Sequence, residues 1–299
     1  MSARRSLAER LVLGAPWLWL IVFFLIPFAI VVKISLSEAA LAQPPYKPVF
    51  DLLDGWGALD KLSELSLSAY AGLADDWLYA QAYLSSLRLA FISTLFTLAV
   101  AYPLAYAMAR APSRLRPILV VLAVAPFWTS FLIRVYAWIT ILKDEGLLNR
   151  ALMSLGLISE PLHIFASDTA VVIGIVYSYL PFMVLPLYNA IARQPPELIE
   201  AAADLGASPT SAFWRVTFPL SLPGVLAGCL LVFIPAIGEF VIPDLLGGSD
   251  TLMIGRTLWV EFFDNRDWPA ASAVAVVLLA LLVAPMALYE RSQMAEAQA

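Results

Sequence analysis

Histidine and cysteine are almost missing from this chain, with His163 and Cys229 the only examples in 299 residues. One cysteine cannot close an intramolecular disulfide, and one histidine without a cluster of further ligands does not make a metal site. Charge is scarce as well: Asp, Glu, Lys and Arg make up 14% of the chain, for a formal net charge of −5. Nothing in that balance suggests a nucleic-acid partner. Several motifs are also absent. No G-x-x-x-x-G-K-[ST] phosphate loop occurs, so the polypeptide is not expected to bind or hydrolyse ATP itself. The lack of H-E-x-x-H and of G-x-S-x-G removes the commonest membrane hydrolases. Any work the protein does must therefore draw on a gradient or on another chain.

Apolar residues are what the chain has in excess, at 61% of the sequence with a mean hydropathy of +0.82. That is the composition of a polytopic membrane protein. Runs near the roughly 20 residues that cross hydrocarbon fall at 11–32, 89–109, 118–142, 170–191, 222–242 and 270–289. The expectation is an all-α integral membrane protein with six transmembrane helices. Arg4 and Arg5 precede the first run and Ala40, Leu41 and Ala42 follow it, as at a signal-peptide cleavage site. Its apolar stretch is longer than the roughly 7–15 residues of a signal h-region, so it reads as a retained anchor.

The basic residues set the orientation. Arg4, Arg5, Arg10, Arg110, Arg114, Arg116, Arg193, Arg215 and Arg291 crowd short segments on one side. Lys33, Lys47, Lys61, Arg88, Lys143, Arg150, Arg256 and Arg266 are spread over longer loops on the other. By the positive-inside bias both termini are cytoplasmic. The organisation is then a cytoplasmic N-terminus and first helix (1–32), an outer loop (33–87), a five-helix core (88–290) with a cytoplasmic loop at 193–219, and a tail (291–299). The outer loop carries Asp51, Asp54, Asp60, Glu64, Asp75 and Asp76, and residues 77–83 read as an amphipathic interfacial helix. Pro103, Pro126, Pro181, Pro186 and Pro235 fall inside spans, either kinking helices around a pathway or bending packed ones.

The cytoplasmic loop is the most informative segment. Pro195 and Pro196 precede a short polar helix whose acids Glu197 and Glu200 sit near the positive end of its dipole. Leu198, Ala201, Ala202 and Leu205 recur at helical spacing and make a small apolar face, with Asp204 on the wet side. Gly206 ends the helix where a positive φ is needed, and Ser208 with Pro209 restarts the chain as cap and first helical residue. The plain alternative is an ordinary interfacial connector.

Two ionisable residues lie inside spans, Arg134 in the third and Glu239 in the fifth. Counted along straight helices they reach similar heights and could meet. One reading is an ion pair locking the two spans; the other is that Glu239, with Asp244, attracts a cationic substrate. Trp128, Tyr136, Trp138, Tyr177 and Tyr179 offer rings suited to ammonium groups.

The spacing of Glu200, Ala201, Ala202 and Gly206, then Val216, Phe218 and Pro219, resembles the EAA loop of type I, MetI-like permeases of ABC importers. Within that class the chain is similar to polyamine permeases, most closely the putrescine type, through residues 126–138, 146–149, 233–244, 247–248, 253–256 and 265–269. The resemblance implies a transport subunit, not an enzyme, in the inner membrane. Its implied partners are a second, homologous permease, two copies of an ATPase that binds ATP and Mg, and an extracytoplasmic polyamine-binding protein. Glu200, Ala201, Ala202, Asp204, Leu205, Gly206, Val216 and Pro219 would form the coupling loop seated on the ATPase. Putrescine is the expected cargo, with spermidine or another small solute as the alternative. A secondary carrier or channel without an ATPase is a reading of a different class.

Overall fold

The computed structural model describes residues 7–50 and 57–296, almost wholly as helices. Arg4, Arg5, Asp51 and Asp54 lie outside the described residues, as do the side chains of Arg10 and Arg291. The chain begins with α1 (Leu7–Leu20), a π-helical turn (Ile21–Leu25) and α2 (Ile26–Ser35), followed by the two-residue strands β1 (Glu38–Ala39) and β2 (Tyr46–Lys47). Next come α3 (Gly57–Leu62), α4 (Ser68–Asp75), the long α5 (Trp77–Arg110) and α6 (Arg116–Val124), which runs into a 3-10 turn (Ala125–Trp128). After it stand α7 (Phe131–Leu142), α8 (Leu147–Ser154), α9 (Asp168–Ala192), α10 (Glu197–Asp204) and α11 (Pro209–Ala212). A second π turn (Phe213–Thr217) leads into α12 (Phe218–Ile237), α13 (Val241–Leu246) and α14 (Ile254–Trp259), and a third (Val260–Asp264) precedes α15 (Trp268–Glu296).

The helices group into two compact units, Met1–Ala80 with Thr257–Ala299, and Gln81–Arg256. In the first, α15 packs on α2 and α4. Ser35 and Tyr70 share a hydrogen bond of 2.7 Å, and the Lys33 ammonium lies 4.3 Å from the Tyr46 ring while donating to the Pro48 carbonyl. Trp268 stacks on Phe262 at 4.9 Å. In the second unit α9 and α12 form the principal pair. Small residues let them close. A Cβ at Gly224 would stand 2.5 Å from Ala190 Cβ and 2.8 Å from the Pro186 carbonyl, and one at Gly228 would stand 2.6 Å from Met183 Sδ. Ala101, Ala105, Met108, Val184, Leu187, Ile191, Val225 and Val232 complete the buried cluster around this seam, as expected where helices associate through close backbone approach.

Four helices among the described residues are long and apolar enough to cross a membrane: Gly14–Ser35, Trp77–Arg110, Asp168–Ala192 and Pro209–Ile237. The pair Arg116–Trp128 and Phe131–Ser154 adds a fifth if it is one span, but it bends by 87°. The apolar stretch Trp268–Val283 of α15 is shorter.

Three sequence expectations change in detail. The stretch 118–142 is not a straight helix: Pro126 falls in the 3-10 turn, Thr129 is extended (φ −93°, ψ 150°), and Ser130 starts a new helix. A proline removes an N–H and clashes with the preceding turn, so the ladder stops there. The fifth apolar run breaks after Ile237, so residues 238–240 are not within a helix. Residues 77–83 are not a separate interfacial helix but the first turns of α5. Two of the π turns share a cause. Pro27 and Pro219 are each the second residue after a wide turn, where the extra residue gives the ring room that a tight turn denies.

Candidate functional site

The break in α6–α7 and the break in α12–α13 open onto the same cavity, of about 600 Å³. Phe127, Thr129, Phe131 and Arg134 line it from the first, and Pro235, Gly238, Glu239, Phe240 and Val241 from the second. Ser178, Tyr179 and Phe182 of α9 form the remaining wall.

Glu239 is buried, at 8% exposure, and its carboxylate is held by three donors. The Tyr179 hydroxyl donates to Oε2 at 2.5 Å, while the backbone N–H groups of Val241 and Ile242 donate to Oε1 at 3.0 and 3.4 Å. Those two N–H groups belong to the first turn of α13, where no helical acceptor exists for them. A carboxylate taken out of water needs such compensation.

Arg134 faces the same cavity without reaching that carboxylate. Of the two readings of these residues, the Arg134–Glu239 ion pair is not formed: Nε and Nη1 of Arg134 are buried with no hydrogen-bond partner. The guanidinium carbon instead lies 5.4 Å from the Phe127 ring and 5.7 Å from the Phe131 ring, within cation–π range. The cause is the 87° bend, which removes the straight-helix geometry that put the two charges at one height. Ser178 Oγ is a third buried polar atom in the lining with no partner.

The other ring and acid candidates divide. Tyr179 is in the cavity. Asp244 pairs with Arg256 Nε at 3.3 Å, and Trp138 packs edge-on against Tyr177 at 5.4 Å, all outside the cavity lining. Trp128 and Tyr136 are exposed and do not line it. The rings beside Arg134 are phenylalanines that ring-type reasoning passed over. Phe131, three residues before Arg134 on α7, could have been found by helical spacing.

The second assembly is the loop between α9 and α12. α10 carries Glu197, Leu198, Glu200, Ala201, Ala202 and Asp204, and none of its residues is buried. Leu198 and Leu205 are exposed, so the apolar face is uncovered. Gly206 has φ +82° and lies open, with its N–H donating to the Ala203 carbonyl at 2.8 Å and the Ala207 N–H to the Ala202 carbonyl at 2.9 Å. That is the left-handed helix stop that glycine supplies. Ser208 accepts from the Ser211 N–H at 3.3 Å and Pro209 opens α11. Val216 lies in the π turn and Pro219 at the start of α12. Behind the knob, Phe213 meets Tyr102 and Tyr106 edge-on at 5.6 and 5.8 Å, and the Tyr102 hydroxyl bonds Ser221 Oγ at 2.8 Å.

Residues 91–292 match the family described as the binding-protein-dependent transport system inner membrane component. The chain belongs to this family. Among its relatives, this inner membrane component is 44% identical to the spermidine/putrescine transport system permease protein PotB of Salmonella typhimurium over 227 residues, 76% of this chain and 79% of the relative. It is 41% identical to the protein of the same name in Haemophilus influenzae, over 89% of this chain and 88% of that one. In fold it is similar to a chain of a bacterial ABC transporter involved in import of the acidic polysaccharide alginate (TM-score 0.67, 17% identity, 95% of this chain and 96% of that one). It is also similar to a chain of the MetNI methionine ABC transporter (TM-score 0.54, 19% identity, 73% and 96%).

Proposed function

We propose that this inner membrane component is the permease subunit of an ATP-driven importer that moves a polyamine, putrescine or spermidine, into the cytoplasm by alternating access. Glu239 carries the reading of the cargo. A buried, pre-oriented carboxylate lines a cavity made by two helix breaks, with phenylalanines elsewhere in the same lining, which is how transporters present polar groups to a cation at membrane depth. The names of the relatives at 41–44% identity support the same cargo.

Arg134 gives the cavity a second role in selectivity. With Glu239 it leaves the lining at no net formal charge, so one ammonium group is held by the carboxylate and the rings, and the rest of a dication must be met elsewhere. The second permease chain is the natural source of that other half. Tyr179 is the residue that keeps the carboxylate aimed; Asp244, Trp128, Tyr136, Trp138 and Tyr177 act outside this cavity, along the approach to it.

α10 and Gly206 form the coupling helix, and the uncovered face of Leu198, Ala201, Ala202 and Leu205 seats in a groove of the ATPase, where Glu200 accepts charge-assisted hydrogen bonds. Two ATPase copies bind ATP and Mg, this chain binds neither, and an extracytoplasmic binding protein delivers the polyamine. The chain crosses the inner membrane six times with both termini cytoplasmic, taking the bent α6–α7 pair and α15 as the remaining spans. Residues 33–87 face outward, 88–290 form the permease core, 193–219 the coupling loop and 291–299 the cytoplasmic tail.

The experiment is uptake of labelled putrescine into cells lacking other polyamine systems, expressing the complex with and without this chain. Uptake that requires the chain and resists excess spermidine assigns putrescine; full competition by spermidine assigns the broader polyamine cargo. An assembled complex without putrescine or spermidine uptake refutes the cargo.

A further inference from the structure

Gln194 lies at the start of the coupling loop 193–219, but no role has been given to its side chain. It stands just past the end of α9 and reaches across the whole connector, where its Nε2 donates to the Thr217 carbonyl at 3.0 Å. Its Oε1 is buried with no hydrogen-bond partner. A buried amide that satisfies one donor and strands its acceptor loses about what it gains. For stability alone, an apolar side chain of the same length would serve as well. It would not fix the separation of residue 194 from the backbone at 217.

That separation is the base of the knob. α10, the Gly206 turn, α11 and the π turn Phe213–Thr217 all lie between the two residues. Within the knob, α10 touches α11 and the π turn, and the Ala207 to Ala202 bond and the Ser208 cap hold the bend. At the base, the chain enters through Gln194, Pro195 and Pro196 and leaves through the π turn. Helices kink at π turns, so this one is where a displacement of α10 would be absorbed as bending. Gln194 ties the end of that turn, at Thr217, directly to the end of α9.

We propose that Gln194 is a positioning residue that clasps the base of the coupling knob, so that a push on α10 moves the ends of α9 and α12 together. The clasp rests on the assignment of α10 as the coupling helix, and the test separates the two.

The whole complex, reconstituted in proteoliposomes with its binding protein, is assayed for ATP hydrolysis and for labelled putrescine uptake. Gln194→Met keeps the length and removes both polar groups. The expected result is normal assembly, ATP hydrolysis within about twofold of the unaltered complex, and uptake per ATP lowered about fivefold. Gln194→Glu puts a carboxylate against the carbonyl in a buried position, which raises its pKa; the same loss is expected at about pH 8, with partial recovery towards about pH 6 as the protonated carboxyl donates again, each value taken relative to the unaltered complex. An unchanged uptake per ATP in Gln194→Met overturns the clasp. If Gln194→Met does not assemble, Gln194→Glu decides on the same ratio, and failure of both to assemble also overturns it, since Gln194 is then a folding residue. Gly206→Asp is run alongside. If it uncouples while the Gln194 variants do not, the clasp alone fails; if Gly206→Asp also leaves the ratio unchanged, the coupling-helix assignment fails with it.

Discussion

Glu239 is a carboxylate whose donors are all in place before any cargo arrives. Glu239→Gln keeps the shape and removes the charge. A hydrogen bond to a charged group is worth about 1.5–3 kcal/mol, so the apparent KM for putrescine should rise roughly 10- to 100-fold with the complex assembled normally, read from initial uptake rates. Tyr179→Phe takes away one of the three donors and should raise KM by only a few-fold. Collapse of assembly in both variants would instead make this hydrogen-bonded cluster structural. Both charged residues were legible in the sequence, because an ionisable side chain in an apolar run stands out. Their failure to pair was not, since Arg134 stops against Phe127 and Phe131 for reasons that lie in a bend, and ring orientation has no trace in residue type.

At the scale of the helix, Gly224 and Gly228 sit one turn apart on the same seam and meet different neighbours. A methyl at 224 would press on Ala190 Cβ and the Pro186 carbonyl, which yield only if the helices part. At 228 the nearest atom is Met183 Sδ, on a side chain that can turn aside, with the Met183 carbonyl at 3.3 Å. Gly224→Ala should therefore cost more stability than Gly228→Ala, on the order of 1–3 kcal/mol against less than about 1. Thermal unfolding of the purified complex in detergent compares them, and equal midpoints would contradict the ranking. Helix existence was readable along most of the chain, and so were the stop at Gly206 and the restart at Ser208, because positive φ and capping have local signatures. The places where helices break inside apolar runs were not. Pro103, Pro181, Pro186 and Pro223 stay within continuous helices while Pro126 falls at a break, so proline alone does not say which.

For the molecule as a whole, the proposed mechanism makes this chain dependent on others. Proteoliposomes holding it without the ATPase and the second permease should take up no putrescine above background. The full complex should do so with ATP, and a non-hydrolysable analogue should stop turnover. Uptake driven by a gradient through this chain alone would point to a secondary carrier. Class and family were legible from composition and from the spacing of Glu200, Gly206 and Pro219, whereas the joining of two helix breaks in one cavity needs tertiary structure.

Those two breaks have one further consequence. Backbone that leaves the helical ladder at membrane depth is tolerated where water reaches it, so amides around Thr129 and Glu239 should exchange for deuterium far sooner than those in the middle of α9 and α12, as mass spectrometry of the complex in nanodiscs would show. Equal protection at both places would mean a dry cavity. A hydrated notch of this kind thins the dielectric wall itself. A diamine passing through it no longer faces the full thickness of hydrocarbon, about 30 Å, but only the layer left between the notch and the far aqueous face.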